Sequence, residues 1–158
     1  KELYGFADHV PETEEYGISS FVYRARAPFD PLKFDTFTRM NFPGLIRAKG
    51  HFWLATRPDF AGEFSLAGAI ARNGPLGRWW AAVPRGRWPD APDLRRMIDE
   101  CWDEVYGDRR QEIVFIGAGM DQAAIREALD DCLIDTGPAF NERDFEFLTD
   151  PFPSWTRG

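Results

Sequence analysis

An α+β fold follows from three observations on this chain. Stretches of two-residue apolar alternation are interleaved with stretches of helical spacing, in the order β-α-β-β-β-α-β-α. Its 158 residues suffice for one hydrophobic core. Aromatic residues supply 15% of them, led by 14 Phe and 6 Trp, which fits a packed interior and not a disordered segment. We therefore expect an antiparallel-rich sheet with helices packed mainly on one face, a ferredoxin-like variant. The chain divides into a polar, acidic linker at 1–16 and a single domain at 17–158.

The first strand is Gly17-Ile-Ser-Ser-Phe-Val-Tyr-Arg-Ala-Arg26, with Phe21 and Tyr23 on one face and Ile18 and Val22 on the other. Asp30-Pro31 then places a capping carboxylate before a proline at the first helical position. That helix should run to about Met40, with Phe34 and Phe37 inward, and stop at Asn41-Phe-Pro-Gly44. An extended stretch follows at 45–56, with a bulge expected at Lys49-Gly50. Residues 62–71 and 77–83 read as successive strands around the turn signal Asn73-Gly74-Pro75, with a short helix at 62–71 as the alternative.

Leu94, Met97, Ile98, Cys101, Trp102 and Val105 fall on one helical stripe, which predicts a helix from Asp93 to Val105. The segment 109–117 becomes wholly apolar and reads as an interior strand. Asp121 caps a last helix with Ile125, Ala128, Leu129 and Cys132 inward. The Pro- and aromatic-rich tail 137–158 is expected to wrap over the body.

A net charge of −7 gives no global basic field, so nucleic acid is disfavoured as a partner. The two cysteines, Cys101 and Cys132, sit on apolar helix faces and read as core. No apolar run approaches a membrane span and no signal peptide is present, so the expected location is cytoplasmic and no membrane partner is expected. The chain begins with Lys and not Met, which points to a longer parent protein.

Motif chemistry is sparse. Gly117-Ala-Gly119 follows a strand and precedes a helix, but the third glycine of a dinucleotide fingerprint is replaced by Gln122 and no further strand follows. No G-x-x-x-x-G-K-S/T, H-E-x-x-H, C-x-x-C or G-x-S-x-G occurs. His9 and His51 are the only imidazoles and the only metal-ligand candidates, and both read better as ordinary histidines. No catalytic residue emerges. A basic middle, from Arg47 and Lys49 to Arg109 and Arg110, is interleaved with Trp79, Trp80 and Trp88. That pattern suits single-stranded nucleic acid, a protein contact, or internal pairing of Arg47 or Arg110 with Asp108 or Glu112.

Five stretches in order carry a resemblance: Glu15 to Arg26 with Pro28-Phe29, Arg47 to Thr56, Gly77-Arg-Trp-Trp80, Gly107 to Gly117, and Asp150-Pro-Phe-Pro153. Together they resemble the C-terminal domain of the CobW-type GTPases, a family of GTP-dependent metallochaperones. The resemblance implies a non-catalytic domain without a cofactor of its own. It implies a preceding GTPase domain that binds GTP, Mg and Zn or Co, and a client metalloprotein as a further partner; self-association stays open. It also points to Arg47, Lys49, Asp108, Arg109, Arg110 and Gln111, with Trp79 and Trp80, as interaction candidates. Strand-end hydrogen bonding is the competing role for the polar ones.

Overall fold

The computed structural model describes residues 17–155. Its elements are strand β1 (Ile18–Ala25), helix α1 (Pro31–Thr38), strands β2 (Leu45–Phe52), β3 (Phe60–Ala67) and β4 (Ile70–Arg78), helix α2 (Pro92–Glu100), strand β5 (Gln111–Ala118) and helix α3 (Gln122–Asp130). The strands form one antiparallel sheet in the order β1-β5-β2-β3-β4. Because β5 runs against both β1 and β2, those two are parallel to each other, and α1 makes the crossover between them. This is the split β-α-β of a ferredoxin-like fold. It is followed here by a β2-β3-β4 meander, and so the α+β expectation with that element order holds.

Alternation sorts the side chains. Phe21 and Tyr23 of β1, Ile113 and Phe115 of β5, Ala48 and Phe52 of β2, and Phe64 of β3 share the face on which α1 and α3 pack. Phe34 of α1 is its centre, fully buried, with ring centroids 4.7 Å from Phe29 and 4.6 Å from Phe52. Burying one phenylalanine of this kind contributes roughly 2–3 kcal/mol. Both helices start as expected: Asp30 accepts from the Lys33 amide at 3.1 Å and Asp121 from the Ala124 amide at 3.0 Å.

Four expectations need correction. The strand β2 runs unbroken through Lys49-Gly50, and the irregularity lies at its start, between Leu45 and Arg47. Gly50 serves close packing: a Cβ there would stand 2.1 Å from the Glu112 carbonyl oxygen. The β3–β4 turn falls at Gly68-Ala69, where Gly68 has φ +63°, a torsion that a two-residue hairpin demands. Asn73-Gly74-Pro75 lies inside β4 instead, because β4 is an edge strand and tolerates a residue without an N–H. Residues 80–82 are a 3₁₀ turn and not strand. Finally, α2 ends at Glu100, since the Asp103 carboxylate takes the amides of Val105 and Tyr106 and turns the chain. Only Ile98 of α2 is buried, and Met97 is 42% exposed.

The tail does wrap. Arg57 donates to both Asp150 oxygens at 2.9 Å and to the Phe152 and Pro153 carbonyls at 2.6 Å, which sets Phe152 and Trp155 on the core. Burial pushes the Asp150 carboxyl up, but bonds from Arg57, Thr56 and the Phe152 amide more than reverse this and leave it below the ordinary 3.8.

Two measurements follow from this packing. Gly50→Ala should cost about 2–3 kcal/mol in urea unfolding, because backbone and not a flexible side chain blocks the methyl, whereas Gly74→Ala should stay within about 0.5 kcal/mol. Asp150→Asn should cost about 2 kcal/mol at neutral pH. A carboxylate held below its ordinary value stabilises fully above that value and loses the effect as pH falls through its folded one. The gap between Asp150→Asn and the parent should therefore close below pH 3.8.

Candidate functional site

The polar candidates converge where β5 begins. Gln111 has no exposure, and its carboxamide is fully engaged: Oε1 accepts from the Trp53 amide at 2.9 Å, while Nε2 donates to the carbonyls of Trp53 at 2.9 Å and Ala27 at 3.0 Å. It thereby ties β5 to the segments leaving β1 and β2. Asp108, also buried, accepts from the Trp80 and Ala81 amides, each at 2.9 Å. Arg109 donates to the Pro58 carbonyl at 2.6 Å and lies 5.6 Å over the Trp53 ring. Burial lowers its pKa, with Asp108 opposing.

Arg110 bonds the Asp108 carbonyl at 2.8 Å and Glu112 at 3.2 Å, so of the internal pairs considered, this one forms. Glu112 is 1% exposed and also receives Arg24 at 3.5 Å. Interior strand β5 is thus polar at its first two residues and apolar from Ile113 onward, as expected for a strand inside the sheet. Beside these groups, Arg24, Arg26, Glu100, Cys101 and Arg110 line an open cleft of about 330 Å³. Cys101 is half-buried, and burial raises its thiol pKa. Cys132 is buried as expected, its thiol pushed up to about 12 by burial and the neighbouring Asp131 and Asp30.

The other candidates separate from that corner. Trp79 and Trp88 are each 6% exposed, and Trp80 is half-buried with its ring 6.1 Å from Trp88. Arg85 lies 4.5 Å over Trp88, so this Arg/Trp set stacks on itself and presents no row of open rings to nucleobases. His51 is half-buried at 5.7 Å from Trp79, and burial lowers its pKa against the pull of Glu112. His9 lies outside the described residues. Among the described residues, no group of three or more His, Cys, Asp or Glu is placed to hold a metal ion. None of their helices is long and apolar enough to cross a membrane. Arg47 and Lys49 alone of the candidates are exposed on β2, on the face opposite α1 and α3.

Sequence reasoning overlooked Arg57 and Arg26 as anchors. Arg26 donates to the Gly107 carbonyl at 2.9 Å, 81 residues away, and no local pattern signals such a partner. A larger cleft of about 560 Å³ beside Arg57 carries Asp59, Glu142 and Glu146, with Arg57 itself committed to Asp150. This arrangement offers recognition by charge and shape.

The family described as the cobalamin synthesis protein cobW C-terminal domain matches residues 18–133. Zinc-regulated GTPase metalloprotein activator 1 of Dictyostelium discoideum is 41% identical over 138 residues, covering 85% of this chain and 28% of that protein. A zinc chaperone of Mycobacterium tuberculosis is 28% identical over 134 residues, covering 84% of this chain and 34% of that protein. The crystal structure of the Zn(II)-bound YjiA GTPase from E. coli shares the fold, with a TM-score of 0.50 at 17% identity over 75% of this chain and 30% of that one. The chain thus spans between 28% and 34% of the length of these curated relatives.

Gln111 offers a direct test of the corner. Gln111→Glu turns two donated bonds into carboxylate–carbonyl contacts, and protonation of the new side chain restores one of the two donors. Its folded pKa is thereby raised, and such an acid loses stability as pH rises above its ordinary value of about 4.3. Unfolding measured from pH 4 to 7 should show a growing deficit reaching about 3 kcal/mol, while the parent shows no such trend.

Proposed function

This chain belongs to the cobW C-terminal domain family, and we propose that it is the non-catalytic C-terminal domain of a GTP-dependent metallochaperone. Its role is client recognition, regulation or assembly in the delivery of zinc or cobalt. The observation that carries this reading is the 41% identity to a zinc-regulated GTPase metalloprotein activator over 85% of this chain. The preceding part of the protein would bind GTP with Mg²⁺ and the delivered metal. A change in its phosphate-sensing loops would alter its contacts with this domain, and so link client docking to hydrolysis.

The internal bonds of Asp108, Arg109, Arg110 and Gln111 suit this role by making the domain a stiff body that moves as a unit. Arg47 and Lys49 are then the candidates that remain accessible to a partner. Three arms test the proposal. The reading frame upstream of Lys1 should encode a G-x-x-x-x-G-K-S/T loop and a cysteine motif. Removing this domain from the whole protein should leave basal GTP hydrolysis within about twofold, yet lower metal loading of the client by about tenfold or more. A reading frame without that loop, or client loading indifferent to the deletion, overturns it.

A further inference from the structure

Arg24 and Arg78, both exposed on the sheet, are bonded to Glu112 and to the Ala82 carbonyl, whereas the exposed sheet cations without such a bond among the described residues lie together. The register sets Lys49, Ser65 and Arg72 in one row across β2, β3 and β4, and Arg47, Ala67 and Ile70 in the next. Directly paired residues share a face, and this one is opposite Ala48, Phe64 and the helices. Arg47, Lys49 and Arg72 have neither hydrogen bond nor ion pair among the described residues, in contrast to the bonded arginines of the β5 corner. Ile70 beside them is 59% exposed, and Ile18, on the corresponding face of β1, is 37% exposed.

Chain continuity selects the occupant. Ile18 pairs with Ala118 and Arg47 with Ile116, so the point where the preceding polypeptide arrives adjoins the end of the sheet that carries Arg47 and Ile70. About two thirds or more of each curated relative lies outside the matched region. Self-pairing through this face would set three cations against their own copies, which like-charge repulsion disfavours. Nucleic acid meets a chain of net charge −7, four of whose six tryptophans are buried. We infer that this basic, apolar-edged face docks an acidic surface of the GTP-binding part that precedes it in the same polypeptide. The inference rests on the function proposed above and adds the face, its charge and its occupant.

The chain contains three lysines, Lys1, Lys33 and Lys49. Lys33 is exposed on α1, across the sheet from Lys49, and serves as an internal control. The intact natural protein is treated with a zero-length carbodiimide, which joins an amine to a carboxylate in contact, and the products are mapped by mass spectrometry. Lys49 should be joined to an Asp or Glu of the preceding part, with the yield falling several-fold as salt screens the contact, while Lys33 is not. Replacing Arg47 and Arg72 together by Glu, in a protein whose circular dichroism is unchanged, should lower the yield of the Lys49 cross-link several-fold. Lys49 reacting no more than Lys33 overturns the inference, as does a bond from Lys49 to a second copy or to Glu12, Glu14 or Glu15. An upstream region without a phosphate loop removes the functional reading instead, so the two failures are distinct.

Discussion

The carboxamide of Gln111 is the constraint on which the corner of this domain depends. It sits without solvent contact at the first residue of an interior strand, where an unpaired amide would cost several kcal/mol. Its three bonds reach the backbone on either side, at Ala27 beyond β1 and at Trp53 beyond β2. Each of those segments is thereby held in the one position that satisfies the amide. Trp53 then presents its ring to Tyr106 and Phe140, and Arg109 closes over it. A second apolar cluster, of Trp53, Ala61, Trp79 and Tyr106, packs beside this corner.

The same logic divides the charged residues into two populations. Those of the Gly107-to-Glu112 segment bond backbone carbonyls, amides and each other, so they contribute to rigidity, while Arg110 also lines the open cleft. Arg47, Lys49 and Arg72 stand on the open side of β2 and β4, where solvent carries their charge. A domain built this way resists internal rearrangement while offering one charged face. That division suits the recognition role proposed for this domain.

Anchoring of the tail repeats the pattern with a different residue. Arg57 spends its guanidinium on Asp150 and on the carbonyls of Phe152 and Pro153, and its planar fork fits this multiple bonding better than a lysine would. Phe152 and Trp155 thereby complete the aromatic core around Phe34 and Phe52. A strand-by-strand reading misses this, because the two partners are 93 residues apart.

What the sequence alone determined was local and periodic. Alternation placed Phe21 and Tyr23 inward on β1, capping carboxylates marked the starts of α1 and α3, and the succession of alternating and helical stretches set the expected element order. These signals lie within a few residues, where backbone geometry fixes which side chains share a face. Tertiary structure decided the rest. Asn73-Gly74-Pro75 became strand because β4 has a free edge, and α2 stopped early because Asp103 captured the following amides. Only the assembled sheet shows that Arg110 and Gln111 are committed to internal bonds while Lys49 has none among the described residues. Which polar side chains are spent and which remain available is a property of partners brought together from distant sequence, and no local pattern encodes it.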